Sequence, residues 1–501
     1  MYFIGIDLGT SSIKMLLVNE TGKVVNTVSE EYPIYYPKPG FSEQNPQDWI
    51  KAVMKGIPRL LDGFNRNEVE GIGVAGQMHG LVILDENDEV IRPAILWNDG
   101  RTTEETDYLN QVIGGEKLSE YTANIAFAGF TAPKILWMKE NEPQKFAAIK
   151  QVMLPKDYLN YRLTGVLATD VSEASGTLYF DVKNRCWSEE MLAVCGINKD
   201  MLPAVFESYE PIGHVKKDLW QRILSAAGLS QEVTEETATP VVCAGAGDNA
   251  AAAVSCGAVR VGDVNLSVGT SGTVFITGEH FTDMKNHAIH SFCDSTGRYH
   301  LMGCMLSAAS CNSWWMEDIL KTGDYAGEQQ AIPEDLLGEN REFFLPYLMG
   351  ERSPHNDESA RGAFIGMRRD TRRSEMTLAM LEGVAFGLRD SLDAAREAGI
   401  FADHATICGG GVKSRLWQRI IANILNVRLD ILEREEGPSL GGAILAAVCD
   451  GAYPDVETAC GTIVRKTDSV ESDPDIAARY DDRYATYRSL YPALKDCFKN
   501  M

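Results

Sequence analysis

The sequence is short of positive charge. Its 501 residues carry 47 Lys and Arg against 71 Asp and Glu, a formal charge of −24. A chain this acidic repels phosphate backbones unless it holds a strong basic patch, and no run of basic residues forms one. Nucleic acid and anionic membrane surfaces are therefore not expected partners. Long apolar runs are missing too: none approaches the ~18–20 residues that span a bilayer. The stretch MYFIGIDLGT carries an acid at Asp7 and no basic leader, so no signal peptide is expected. The 11 cysteines are odd in number and include no CxxC pair. They read as reduced thiols, with the cytoplasm as the expected compartment. Metal clusters are equally scarce. His287, His290 and Cys293 lie close in sequence, but no second ligand pair stands near them, and they read as structural.

What is present is an α/β alternation in which turns rich in Gly and hydroxyls follow β-prone runs. YFIGID and IKMLLV predict a hairpin around Leu8–Ser12. Asn45-Pro46 predicts a helix start, with Trp49, Val53 and Ile57 on one apolar face. GIGVAG (71–76) and LVILDE predict strands, and helices are expected near 132–141 and 155–163. PVVCAGAGD predicts a strand entering a Gly-rich turn, and VNLSV-GTSG-TVFIT a second hairpin. Further on, 374–399 predicts a long helix with a Ser cap and a closing Gly. ATIC (405–408) predicts a buried strand, and PSLGGAILAAVC a helix dense in small residues.

One internal echo organises these pieces. Gly9-Thr10-Ser11 recurs as Gly269-Thr270-Ser271, each between β-prone runs. A motif repeated half a chain apart predicts two lobes built on one plan. Asp7 precedes the first copy, whereas Ser267 holds that place in the second. The lobes are thus expected to share a shape and differ in chemistry.

Several motifs suit phosphate and polyol chemistry. A tight turn with open backbone N–H groups and hydroxyls, Thr10-Ser11-Ser12, makes an anion site. An acid beside it, Asp7, suits Mg²⁺ against phosphate oxygens; a plain hairpin turn is the alternative. Gly269-Thr270 repeats the donor geometry without the acid. Gly409-Gly410-Gly411, followed by Ser414, opens the chain near a helix start, in neither the GxGxxG nor the GxxxxGK[ST] spacing. Asp248, at the end of an apolar strand in GAGDNA, suits a base for a sugar hydroxyl, a cap for the following helix, or both. Met78, His79, Trp97 and Asp99 offer polar groups and an apolar wall at strand ends, as a polyol site needs. A satisfied core histidine and a core tryptophan are the alternatives.

Taken together, DLGTSS, SVGTSG and CGGGVKS resemble the two phosphate loops and the adenosine loop of the FGGY carbohydrate kinases. That family belongs to the sugar kinase/Hsp70/actin fold. The resemblance runs from residue 1 to about 455. It implies an α/β fold with two lobes of duplicated actin-like (ribonuclease H-like) architecture around a nucleotide cleft. The expected domains are 1–244, with the sugar pocket and first phosphate loop, and 245–501, with the general base and the other two loops. The segments QMHG (77–80), WNDGR (97–101), GFTAPKILWMKENEP, LPKDYLNYRLTG and PYLMGERSPHN are most similar to the branch that phosphorylates D-xylulose. The resemblance implies Asp248 as general base, with Asn249, Met78, His79, Trp97 and Asp99 around the sugar. It implies Asp7 toward Mg²⁺, and Thr10, Ser11, Ser12, Gly269 and Thr270 toward the ATP phosphates. Gly409, Gly410, Gly411 and Ser414 fall to the nucleoside. Cys408 stands where several relatives have an acid. A homodimer is also implied. Alternatives are a kinase for another pentulose or polyol, or an actin- or Hsp70-like ATPase indifferent to sugar. The last ~45 residues match no motif of the family.

Overall fold

The computed structural model describes residues 1–226, 234, 236–284 and 288–501. Two mixed sheets, each of seven strands, carry the main architecture. The first begins as a meander of β1 (Tyr2–Leu8), β2 (Ser12–Asn19) and β3 (Val24–Glu31). Strand β4 (Val69–Gly76) then adds parallel to β1. β5 (Pro211–His214) and β6 (Val241–Cys243) follow, with β6 parallel to β4 and β5 antiparallel at the edge. β7 (Ala246–Gly247) adds a last pair of residues along β4.

The second sheet repeats the plan. β8 (Val264–Val268) and β9 (Gly272–Gly278) form a hairpin. β10 (His290–Cys293) and β11 (Tyr299–Met305) extend it, with β11 next to β9 and β10 on the edge. β12 (His404–Cys408) runs parallel to β8 and β13 (Arg428–Leu432) parallel to β12, and β14 (Lys466–Val470) closes antiparallel. Each sheet thus joins an antiparallel meander to two parallel strands and an antiparallel edge. The meander-plus-parallel order is the duplicated α/β architecture expected from the sequence echo.

The helices cover these sheets. α1 (Pro46–Leu60) starts at Asn45, whose side chain accepts from the Gln47 amide, and it buries Trp49, Val53 and Ile57. α2 (Thr131–Asn141) and α3 (Pro155–Thr164) lie in the first half, and α4 (Asp248–Ser255) follows β7. α5 (Arg373–Glu397) starts two residues earlier than the expected Ser374 cap allows. Arg372 takes that place because Glu375 reaches back to its amide at 2.6 Å. Gly399 closes the helix at φ +87. α6 (Arg415–Leu425) packs against α5.

α7 (Pro438–Asp450) belongs to the second half of the chain but lies on β1 and β4 of the first sheet. Glycine permits that approach. A Cβ on Gly5 would collide with the Ser439 carbonyl, and one on Gly73 with the Gly442 carbonyl. The terminal helix α8 (Pro474–Phe498) buries Tyr480, Tyr484, Tyr487 and Tyr491, three or four residues apart on one face. Tyr480, Tyr484 and Tyr487 pack around Phe386 of α5. Among the described residues no helix is long and apolar enough to cross a membrane.

Candidate active site

The first loop joins β1 to β2, with Asp7 paired to Lys14 across the hairpin. Its carbonyl oxygens are held inward. Tyr32 donates its hydroxyl to the Gly9 carbonyl at 2.5 Å, and the Gln44 amide donates to the Thr10 carbonyl at 2.5 Å. Gln44 is itself fixed, accepting from the Trp49 indole at 3.1 Å and from Gln77 at 2.9 Å. Trp97 donates its indole N–H to the Thr10 hydroxyl at 2.9 Å. Ser11 is exposed at the tip, and Ser12 opens β2.

The second loop uses the same device with different partners. Ala309 donates to the Gly269 carbonyl at 2.7 Å, and Ala308 and the Ser310 hydroxyl to the Thr270 carbonyl at 2.9 and 2.7 Å. With the carbonyls taken, the amides of Thr10, Ser11, Thr270 and Ser271 find no internal acceptor among the described residues. Two donor-rich bends result, which suit an anion. Gly409, at φ +92, packs where a Cβ would press on the Val268 carbonyl, so the triple-glycine segment rests on the second loop. A Cβ on Gly410 would meet only ordinary contacts, the Val268 carbonyl at 3.9 Å and the Ala309 side chain at 4.0 Å, while Gly411 closes over the Val268 side chain. Ser414 caps α6. Its hydroxyl accepts from the Trp417 amide at 3.1 Å and donates to Gln329 at 2.5 Å.

Asp248 is the first residue of α4, and Gly247 holds the cap position, so Asp248 is not the helix cap. One carboxylate oxygen accepts from the Asn249 amide at 2.8 Å and from its side chain at 3.0 Å. The backbone leading to it is gripped from behind. The Ala244 carbonyl accepts from Lys156 and from Asn160, each at 2.9 Å, and the Gly247 amide donates to Ser172 at 3.0 Å. Lys156 is fully buried between Asp157 at 2.8 Å and Asp170 at 3.1 Å. Beside them lies Glu173, also fully buried, with neither carboxyl oxygen hydrogen-bonded. Burial pushes the Glu173 carboxyl well above the ordinary range, and the neighbouring carboxylates add to the rise while Lys156 opposes it.

Asp7 and Asp248 open into one cleft of about 450 Å³, shared with Lys14, Asn249, Ser267 and Gly409. Burial lifts Asp248 to about 6, against the hydrogen bonds from Asn249. Burial lifts Asp7 to about 7, the charge of Asp248 adds to the rise, and Lys14 opposes it. Lys14 also ties the two halves of the chain, donating to the Glu436 carboxylate at 3.0 Å and to its carbonyl at 2.9 Å.

Met78 is buried against Gly247, the residue before Asp248, and against Gly176. His79 sits at φ +68, a strained conformation for a residue with a Cβ. Its Nδ1 lies 2.7 Å from the Gly176 carbonyl. Burial, with the charges of Lys134 and Arg352, holds its pKa at about 3. The ring is thus neutral, Nδ1–H donates to that carbonyl, and Nε2 is left as an acceptor. Lys134 is buried in α2 and donates to the carbonyls of His79 at 2.8 Å and Gly129 at 2.6 Å. Trp97 stays 41% exposed at the mouth of the first loop. Asp99 stands behind the site as a buried counter-ion. Its oxygens accept from Arg101 at 2.7 and 2.8 Å and from the Ser42 amide at 2.5 Å.

Sequence reasoning passed over Lys134, Lys156 and Gln44. A lysine among apolar neighbours, as in TAPKILW and MLPKDYL, is the signal that marks the first two. Of the three residues weighed for a metal, His287 lies outside the described residues. His290 packs among Phe127, Phe130 and Phe292, and Cys293 is buried. Among the described residues no group of three metal-ligating side chains occurs.

The sequence matches the N-terminal domain of the FGGY family of carbohydrate kinases over residues 2–255 and its C-terminal domain over 264–449. It is 39% identical to the xylulose kinase of Escherichia coli, covering 98% of this chain and 99% of that one. It is 35% identical to the xylulose kinase of Bacillus subtilis, covering 99% and 97%. The crystal structure of a Brucella ovis protein described as a xyloylose kinase superposes with a TM-score of 0.92. The two are 38% identical over 99% of this chain and 100% of that one.

Proposed function

The chain belongs to the FGGY family of carbohydrate kinases, and from that premise we propose that it phosphorylates D-xylulose. The reaction is ATP + D-xylulose → ADP + D-xylulose 5-phosphate. The observation that carries the substrate is the similarity, across nearly the whole chain, to curated xylulose kinases. The cleft shared by Asp7, Asp248 and Gly409 supports the chemistry.

In this reading Asp248 accepts the O5 proton as O5 attacks the γ-phosphoryl group in line. Asn249 occupies one carboxylate oxygen and leaves the other for the substrate. Met78 and the Nε2 acceptor of His79 meet the sugar, and Trp97 walls it. The bends at Thr10-Ser11-Ser12 and Gly269-Thr270 hold phosphate oxygens with their amides and hydroxyls. Gly409, Gly410 and Gly411 admit the nucleoside, with Ser414 fixing the start of α6 beside them. Asp7 fits Mg²⁺: it is a carboxylate whose neighbour Asp248 repels its charge, so a cation relieves both. Bound magnesium supplies neutralisation of phosphate charge, which a chain at −24 needs.

A sugar panel with ATP and magnesium, following both ADP and the phosphorylated product, tests the reading. D-xylulose should give the highest kcat/KM. Preference for an aldonate or a polyol would replace the substrate, and ATP turnover indifferent to every sugar would replace the kinase.

A further inference from the structure

The backbone that leads to Asp248 leaves its sheet just before the base. β6 ends at Cys243 and β7 begins at Ala246, so Ala244 and Gly245 stand outside the ladder. Gly245 turns there at φ +78, and a Cβ on it would collide with the Val74 carbonyl of β4. β7 pairs with β4 through Ala246 and Gly247 alone. The remaining amides and carbonyls of this tail need partners elsewhere. The Ala244 amide donates to the Glu210 carbonyl and the Gly245 amide to the Ser208 carbonyl, each at 2.9 Å. The Ala244 carbonyl accepts from Lys156 and Asn160, and the Gly247 amide donates to the Ser172 hydroxyl.

Lys156, Ser172 and Ser208 have a partner in common, Asp170. Lys156 stands 3.1 Å from one of its oxygens. The other oxygen accepts from the Ser172 hydroxyl at 2.5 Å, the Ser172 amide at 2.9 Å and the Ser208 hydroxyl at 2.8 Å. Asp170, Lys156, Ser172 and Ser208 are all buried. A single carboxylate thus reaches the tail at its entry, through Lys156 at Ala244 and Ser208 at Gly245. It reaches the exit through Ser172 at Gly247, the residue before the base.

We propose that Asp170 is a positioning residue for phosphoryl transfer: through Lys156, Ser172 and Ser208 it fixes the tail from Ala244 to Gly247, and with it the place of the Asp248 carboxylate. The proposal rests on the kinase reading, with Asp248 as base. A base must stand within ~2.6–3.2 Å of the hydroxyl whose proton it takes. Misplacement by an ångström costs up to ~10²-fold in rate. A buried network has no water to replace a lost member, so removing one link loosens the rest. The phosphate bends and the triple-glycine segment sit on other strands, β1, β2, β8, β9 and β12. Loss of Asp170 should therefore lower kcat and spare the KM for ATP.

The test compares the full chain with Asp170→Asn, Ser172→Ala and Ser208→Ala. In the first two, kcat for sugar-dependent ADP release should fall about tenfold, with the KM for ATP within about twofold of its original value. Placed on Asp248→Asn, which has no base left to position, the same changes should lower the remaining rate by less than about twofold. A full further loss in that background would mark a general packing role and overturn the proposal, as would an unchanged kcat in the single variants. Should Asp170→Asn fail to fold, Ser172→Ala and Ser208→Ala decide, because each deletes one oxygen and crowds nothing. Hydrogen exchange over residues 244–249 reads the tether apart from activity. It should quicken in Ser172→Ala, where the Gly247 amide loses its acceptor, and unaltered exchange there also overturns the proposal. A chain that ignores every sugar, or near-normal turnover in Asp248→Asn, overturns the kinase reading instead, and exchange still reads the tether.

Discussion

Asp7 and Asp248 face one cleft, and the charge of Asp248 helps to lift the Asp7 carboxyl to about 7 while Asp248 itself stands at about 6. A base near 6 is ionised at neutral pH yet still basic enough to draw a proton. The acidic limb of kcat/KM for the sugar should therefore fall about tenfold per pH unit below pH 6. Asp248→Asn should lower kcat ~10²–10⁴-fold, with sugar binding by calorimetry little changed. Near-normal turnover in that variant would remove Asp248 from the role.

The same shifts cost stability. Both carboxyls bind protons more tightly folded than unfolded, so between the ordinary carboxylate value near 4 and their folded values the native state holds more protons. Stability then falls as pH rises through that window, and the loss is complete above pH 7. Asp7→Asn should raise Tm at pH 8, about 1 °C for each ~1 kcal/mol of relieved repulsion in a chain of this length. It should also abolish phosphoryl transfer. Calorimetry at pH 5 should show a smaller gain, and an equal gain at both values would rule out carboxylate ionisation as its source.

Lys134 holds the carbonyl of a residue in a strained conformation, His79. Lys134→Met should release that strain and let the ring turn away. The KM for sugar should rise while the KM for ATP stays near its original value. The double variant with His79→Ala should be less than additive, because the two act as one unit. Equal losses toward both substrates would mark Lys134 as a general packing residue.

Trp97 reaches the first bend through the Thr10 hydroxyl. Trp97→Phe keeps a ring and deletes the donor, a change worth ~1 kcal/mol for an ordinary hydrogen bond. A rise of about fivefold in the KM for ATP is expected, read from initial rates at saturating sugar. No change would show that the bend is set by Gln44 and Tyr32 alone.

Arg483 of α8 pairs with Glu382 of α5 at 2.7 Å, and both side chains are buried. Tyr480 donates to the same carboxylate at 2.9 Å. Arg483→Met would strand the Glu382 charge, a loss of about 3–5 kcal/mol. Urea unfolding should show the drop, and Glu382→Gln added to it should restore part of the loss.

The hairpins and the loop motifs were legible because their signals are local: β-prone runs, Gly and hydroxyls at fixed places. The repeated GTS motif also foretold the second sheet. The cap reading of Asp248 stays open in the sequence and closes only with Gly247 in the cap position. Lys134 and Lys156 escaped notice because their partners are carbonyls far along the chain, such as Ala244, which no spacing reveals. The tyrosine face of α8 went unread although its tyrosines step by three and four residues, and its seat on Phe386 is a tertiary fact. Asp99, expected at the sugar, also pairs with Arg101, a contact that no spacing motif marks.

Because α7 seats on β1 and β4, the strands made first on the ribosome wait for a helix made near the end of synthesis. Until then the glycine-lined face of the opening sheet has nothing to cover it. A nascent first half is thus exposed to sticking and to chaperone capture for most of translation. Separately expressed halves should likewise recover activity only after they find each other.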